Sequence, residues 1–190
     1  TNAQLIDGSI VDIATENGLI AWIGTPSQSP VVCLKTINLD GYILSTSFVE
    51  PHAHLDKAFL ADRISNPAGD LMGAIRGLEE VRSTITHNDL VERATRAVIL
   101  MSQNGVTSIR THADTTLSGG LSSVLALLEV KRDCAHFMDV QVAMLLEWPV
   151  TGSAGKEHQA LARDAIDAGV DVVGGCPHLD PDPRGAVEFL

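Results

Sequence analysis

The sequence predicts an α/β fold, with a small β-unit over residues 1–44 followed over 45–190 by four βα units of a barrel. Two changes of grammar carry this. In the first segment apolar and polar residues alternate with period 2 and are cut by Asn-Gly and Asp-Gly pairs, the pattern of short antiparallel strands and hairpins. From residue 45 onward, apolar runs of strand length alternate with amphipathic stretches of helical length, as in parallel βαβ units. A third observation concerns how the runs end: HAHLD, RTHAD, LLEWP and CPHLD all close on residues able to do chemistry. In an α/β barrel the C-terminal strand ends meet at one mouth, so four such endings point to a shared site.

Taken in order, AQLID, SIVDIA, LIAWIG, VVCLKTINL and YIL read as strands, with turns at Asp7-Gly8, Asn17-Gly18, Gly24 and Asp40-Gly41 and a loop marked by Pro26 and Pro30. LSTSFVEP is the first barrel strand and runs into the histidine pair. DLMGAIRGLEEVRST is helical. The next helix starts at Thr86, an N-cap with Asp89 at the third helical position, and closes at Asn104-Gly105. VTSIRTHAD is a strand, SSVLALLEVKRDCAHF a helix, DVQVAMLLEW a strand, and GKEHQALARDAIDAG a helix closed by Gly169. VDVVGGCPHLD is the fourth strand, and RGAVEFL begins another helix.

Composition narrows the function. With 45% hydrophobic residues the chain has enough apolar material for a folded core. A formal net charge of −11 and the lack of a basic run argue against nucleic acid as a partner. No apolar run reaches the roughly 18 residues of a membrane span, so no membrane association is expected. Cys33, Cys134 and Cys176 are odd in number and show no CxxC spacing, which suits a reducing cytoplasm. Glu79, Glu80 and the scattered aspartates are read as solvated helix faces.

His52 and His54 are the candidate metal ligands. On a strand, residues i and i+2 share a face, so this pair aims two imidazoles at one point, with Asp56 near enough to orient them. His112 and His178 stand at later strand ends, either as ligands or substrate contacts or as hydrogen-bonded rim histidines. Glu147, beside Trp148-Pro149, is either an acceptor for a polar substrate or a solvated loop acid. Lys57 reads as a structural cation by Asp56. Asp114 reads as a partner for Arg110 or a helix cap, and Cys176 as a small residue after two glycines. His87, His136 and His158 are assigned to solvated helix surfaces.

VEPHAHLDK, with ITHNDL, QNGVTSIRTHAD, ALLEVKRD, DVQVAM and DAGVDVVGG in this order, resembles the amidohydrolase superfamily, and within it the cytosine deaminase-like group that includes N-isopropylammelide amidohydrolase. The resemblance implies a metal-dependent hydrolase built on a (β/α)8 TIM barrel. Residues 45–190 would be its first half, and 1–44 the leading strands of a small β-sandwich. It also implies one divalent metal ion, zinc or iron(II), with His52 and His54 as the strand-one ligands. The group's remaining ligands and its proton-transferring residues belong to strands five to eight, so none is carried over onto this chain, and the missing C-terminal half of the barrel is an expected partner. Glu147 stands where cytosine deaminases carry a glutamine. An ionised carboxylate only accepts hydrogen bonds, so a ring offering N–H donors suits it better than cytosine. The expected activity is C–N hydrolysis of a small cyclic amidine, a pyrimidine- or triazine-like ring. Cleavage of a cyclic amide or alkylamine is the alternative within enzymes, and a non-catalytic fragment or assembly module the alternative outside them. Homo-oligomerisation stays open.

Overall fold

A computed structural model describes residues 1–28 and 32–190, so Pro30 of the expected loop and Val31 lie outside the described residues. The chain divides into two compact units, Thr1–Ser47 and Phe48–Leu190.

In the first unit β1 (Ala3–Gln4), β2 (Ile10–Glu16) and β3 (Leu19–Gly24) form an antiparallel sheet in the order β1-β2-β3. Asn17 and Gly18 connect β2 to β3 with φ of 51° and 77°. Two positive φ values in a two-residue turn match the right-handed twist of a hairpin, which is why Asn-Gly works there. Asp12 is buried on β2, and its carboxylate accepts the Asn2 N–H at 2.8 Å and the Ser27 N–H at 3.0 Å. These donors, the Ser27 N–H first and then the Asn2 N–H, hold its pKa low against the opposing effect of burial. The segments VVCLKTINL and YIL depart from expectation. Residues 32–39 form no strand, and YIL contributes only a bridge from Ile43 to Gln4. Val32 and Leu34 are fully exposed, so their alternation has no apolar layer to pack on.

The second unit is mixed α/β. Its sheet holds β4 (Phe48–Ala53), β5 (Val106–Thr115) and β6 (Asp139–Leu146), all parallel, in the order β4-β5-β6. Between and after them run α1 (Leu71–Val81), α2 (His87–Gln103), α3 (Ser122–Cys134), α4 (Lys156–Ala168) and α5 (Pro183–Phe189). Asp70 caps α1 by accepting the Gly73 N–H at 2.6 Å, and Thr86 caps α2 by accepting the Asp89 N–H at 3.2 Å. Gly169 ends α4 at φ 102°, in the left-handed region that a side chain would strain.

The fourth expected strand is a correction. Residues 171–176 run beside β6 but pair only as isolated parallel bridges, Ala143 to Val172 and Leu146 to Gly175. Gly174-Gly175 supplies no side chains to pack on the sheet, and a Cβ on Gly174 would lie 3.0 Å from the Met144 carbonyl oxygen. The expected strand end at His178 is instead a short 3-10 turn, Pro177–Leu179.

The core sets the sidedness of the sheet. Val98 of α2, Val124 and Leu127 of α3, and Ile109, Val140 and Val142 of the strands are buried together, each worth about 1.5–3 kcal/mol. Along β5 the buried Ile109, Thr111, Ala113 and Thr115 alternate with Arg110, His112 and Asp114, which are not buried. Helices therefore cover one face of β5, and period 2 puts the polar residues on the other.

Candidate functional site

Three imidazoles gather at the ends of β4 and β5. His52 lies on β4 and His54 just beyond it, with their Nε2 atoms 3.3 Å apart. The His112 ring stacks on that of His52, centroids 4.1 Å apart at 25°. Burial first, and then the neighbouring Lys57, depress the pKa of His54. His112 is depressed by burial and by His52 and His54. Both rings are thereby biased to the neutral form that a metal requires.

The segment after β4 is pinned by residues far away in sequence. Leu55 donates its N–H to Thr111 Oγ1 at 3.0 Å. The buried Asp56 accepts the Asp114 N–H at 3.1 Å through Oδ2. Arg93, also buried, donates Nη1 to the carbonyls of Asp56 at 2.9 Å and Ala58 at 2.7 Å. Lys57 Nζ is 2.6 Å from Asp114 Oδ1, 3.3 Å from Asp56 Oδ2 and 3.3 Å from His54 Nδ1. Lys57 thus joins an imidazole to a carboxylate cluster and does more than neutralise Asp56. Asp56 orients Lys57 and the β5 backbone and is not bonded to either imidazole. Asp114 receives Lys57 and Arg82, whereas Arg110 pairs with Gln141 at 3.0 Å. A cavity of about 280 Å³ opens beside this cluster, lined among others by Lys57, Glu79, Arg82, Asp114 and Ser118.

The pair fits a tetrahedral metal. Two nitrogens about 2.0–2.1 Å from one such ion are themselves about 3.3–3.4 Å apart, which is the His52–His54 separation. His112 does not complete a set, because lone pairs lie in the ring plane and stacked rings do not aim them at one point. Among the described residues no group of three or more His, Cys, Asp and Glu side chains could hold a metal ion. Among these three rings, His52 and His54 are thus the two whose spacing suits ligation of one ion.

The other expected residues stand apart. Glu147 lies past the end of β6, four residues beyond the partner of His112, about 13 Å along an extended strand. Its Oε2 accepts the Leu117 N–H at 2.9 Å and is 3.4 Å from His158 Nε2. His178 is exposed on its turn with no hydrogen bond or ion pair among the described residues. His158 is not solvated as expected but 5% exposed. The missed signal is phase: His158, Ala162 and Ala165 recur at i, i+4 and i+7 on the buried stripe of α4. Arg93 was legible in the same way, three residues after Leu90 and four before Ala97. No helix among the described residues is long and apolar enough to cross a membrane.

No protein-family model matches the chain. Among curated proteins it is 27% identical over 154 residues to N-isopropylammelide isopropyl amidohydrolase of Pseudomonas sp. (strain ADP), covering 78% of this chain and 37% of that protein. It is 28% identical over 185 residues to pterin deaminase of Rhizobium rhizogenes, covering 94% and 40%. Among solved structures, 5-methylcytosine deaminase from Klebsiella pneumoniae liganded with 5-fluorocytosine superposes with a TM-score of 0.85 at 28% identity, covering 98% of this chain and 45% of that one. The chain spans about two fifths of the length of the curated relatives it matches.

Proposed function

Because the chain belongs to the cytosine deaminase-like group of the amidohydrolases, we propose that the complete protein hydrolyses a C–N bond of a small cyclic amidine, a pyrimidine-, pterin- or triazine-like ring, and releases ammonia. The observation that carries this reading is the His52–His54 pair, two imidazoles 3.3 Å apart at the end of a parallel strand. On it, residues 45–190 are the opening part of a (β/α)8 barrel, with β4, β5 and β6 as its first three strands and the bridged segment 171–176 beside β6 in the fourth place, and 1–44 are the leading strands of its β-sandwich. The rest of the barrel supplies the remaining ligands and the proton-transferring groups.

His52 and His54, whose Nε2 atoms lie 3.3 Å apart, would hold a divalent ion, zinc or iron(II). When bound, that ion supplies Lewis acidity towards an attacking water. The chain's own residues do the positioning. Leu55, Asp56 and Lys57, tied to Thr111, Arg93 and Asp114, keep the His54 ring in place. Glu147 orients the ring as a hydrogen-bond acceptor, and His112 packs beside the ligands. His178 is retained as a rim contact only. The alternative within the enzymes is release of an alkylamine, favoured by the likeness to the isopropyl amidohydrolase.

Metal analysis of the complete protein tests the reading, together with a screen of aminopyrimidines, aminopterins and aminotriazines for released ammonia or amine. Near-stoichiometric zinc or iron, lost in His54→Ala, is expected, with turnover of at least one ring. Metal-replete protein that releases neither product from any of them sinks the proposal.

A further inference from the structure

The open face of β5 carries a cation beneath the imidazoles. Arg110 precedes His112 by two residues, so the two side chains share a face, with the Arg110 Cα about 6.6 Å back along the strand. Its Nε donates to Gln141 Oε1 at 3.0 Å, and Gln141 is its partner in the register of β6. Among the described residues Nη1 and Nη2 have no hydrogen bond or ion pair. The neighbouring strands hold two carboxylates, and neither pairs with it. Glu50 of β4 accepts the His52 N–H at 3.0 Å through Oε1, and Asp139 begins β6 two residues before Gln141. The charge of Arg110 is nonetheless felt at the site. After burial and the neighbouring His52 and His54, it is the next cause of the depressed His112 pKa.

We infer that in the complete protein Arg110 is the cationic half of an interior ion pair whose carboxylate comes from a barrel strand outside residues 1–190, and that this pair, with Gln141, floors the site. The inference rests on the barrel reading above. On that reading the face that holds Arg110 turns towards the barrel axis, where side chains fill the interior in layers. A guanidinium does not lose its proton in a protein, so closure leaves Arg110 charged and out of water. Burying such a charge is costly unless it is paired and hydrogen-bonded. Backbone carbonyls of a closed sheet are taken up by the strand ladders, which leaves side chains as the acceptors. Of these, Asp and Glu supply a negative charge at neutral pH, in a planar geometry that the two free Nη groups match. Standing one layer below the imidazoles, this carboxylate is not a metal ligand.

Phenylglyoxal labelling of the complete protein, read residue by residue by mass spectrometry, tests the closure. Arg110 should react at least about tenfold more slowly than the exposed Arg132 and Arg184. Equal rates would show that face open to water, and the barrel reading then falls together with the inference. Urea unfolding tests the pair. Arg110→Met strands the carboxylate and should raise the unfolding equilibrium constant at least about 100-fold. In that background, acids of the remaining strands are changed to amides one at a time, and one such change should restore stability at least about tenfold. Three results overturn the ion pair and leave the barrel reading standing: protection of Arg110 with no restoring acid, restoration by Glu50→Gln or Asp139→Asn, or a loss in Arg110→Met below about threefold. Should Arg110→Met not fold, Arg110→Lys takes its place in a double-mutant cycle. Its loss and that of the partner's amide variant must then be non-additive by at least about tenfold, and additive losses overturn the pair as well.

Discussion

Replacing Arg93 by methionine should loosen the segment that carries His54 while leaving the rest of the sheet closed. The guanidinium is 5% exposed and donates Nη1 to two main-chain carbonyls, Asp56 and Ala58. Hydrogen bonds to charged groups are worth about 1.5–3 kcal/mol each, so losing both removes about 3–6 kcal/mol. Against that, Nη2 is buried without a partner, and deleting it returns about 1–3 kcal/mol of desolvation. Asp89, which accepts Arg93 Nε at 3.0 Å, keeps its contact with Arg63 at 2.8 Å, so no carboxylate is stranded. Taken low with low and high with high, the balance is a local loss of about 2–3 kcal/mol, or about 30- to 140-fold faster opening at about 1.4 kcal/mol per decade. Amide hydrogen exchange reads it directly. The Lys57 and Ala58 N–H groups, bonded to the His54 and Leu55 carbonyls, should accelerate by that factor, and amides in the middle of α4 should not. Acceleration below about threefold at those two amides, or an equal rise along the whole chain, would show that Arg93 is not the clamp described.

Two further outcomes concern stability. Gly155 has an ordinary φ of −78°, but a Cβ there would sit 2.3 Å from the Val150 carbonyl carbon, and backbone cannot yield as a side chain does. Gly155→Ala should therefore lower stability by about 1–3 kcal/mol, and an unaltered urea midpoint would contradict the close approach. Asp171 is pushed up by burial but pulled further down by the Lys131 ammonium at 2.5 Å and the Val142 N–H at 2.7 Å, leaving its pKa below the ordinary carboxylate value. A carboxylate depressed by folding stabilises fully above its unfolded pKa of about 3.9 and loses that contribution as pH falls through the folded value. Asp171→Asn should thus be less stable than the parent at pH 7, with the gap closing in acid. Urea midpoints at pH 7 and pH 3 check this, and equal gaps at both would refute it.

Features governed by local chemistry were the most legible in the sequence. Thr86 with Asp89, the Asn17-Gly18 turn and Gly169 each act within a few residues, and each sits where spacing alone put it. The imidazole pair was legible for the same reason, since strand periodicity decides which side chains share a face. Features that depend on distant partners were not. Whether VVCLKTINL finds a neighbour, or whether two glycines can sustain a strand beside β6, is settled by packing that no local pattern encodes. Polar residues misled most where burial is compensated. Asp12, Asp56, Arg93 and His158 all look solvated by type, yet each lies inside because donors, acceptors or an apolar stripe meet it there. Their helical phase was available for Arg93 and His158. For Asp56, the partner 58 residues downstream was not.

That long reach has a kinetic consequence. The groups that immobilise the His54 turn, namely Arg93, Thr111 and Asp114, are separated from it by 35 to 58 positions. A nascent chain that has emerged only as far as its twin histidines owns the imidazoles but not their spacing. Closing such spans is among the slower entropic steps of folding, so the 3.3 Å approach of the two rings is timed by the docking of β5 and not by the synthesis of the histidines themselves.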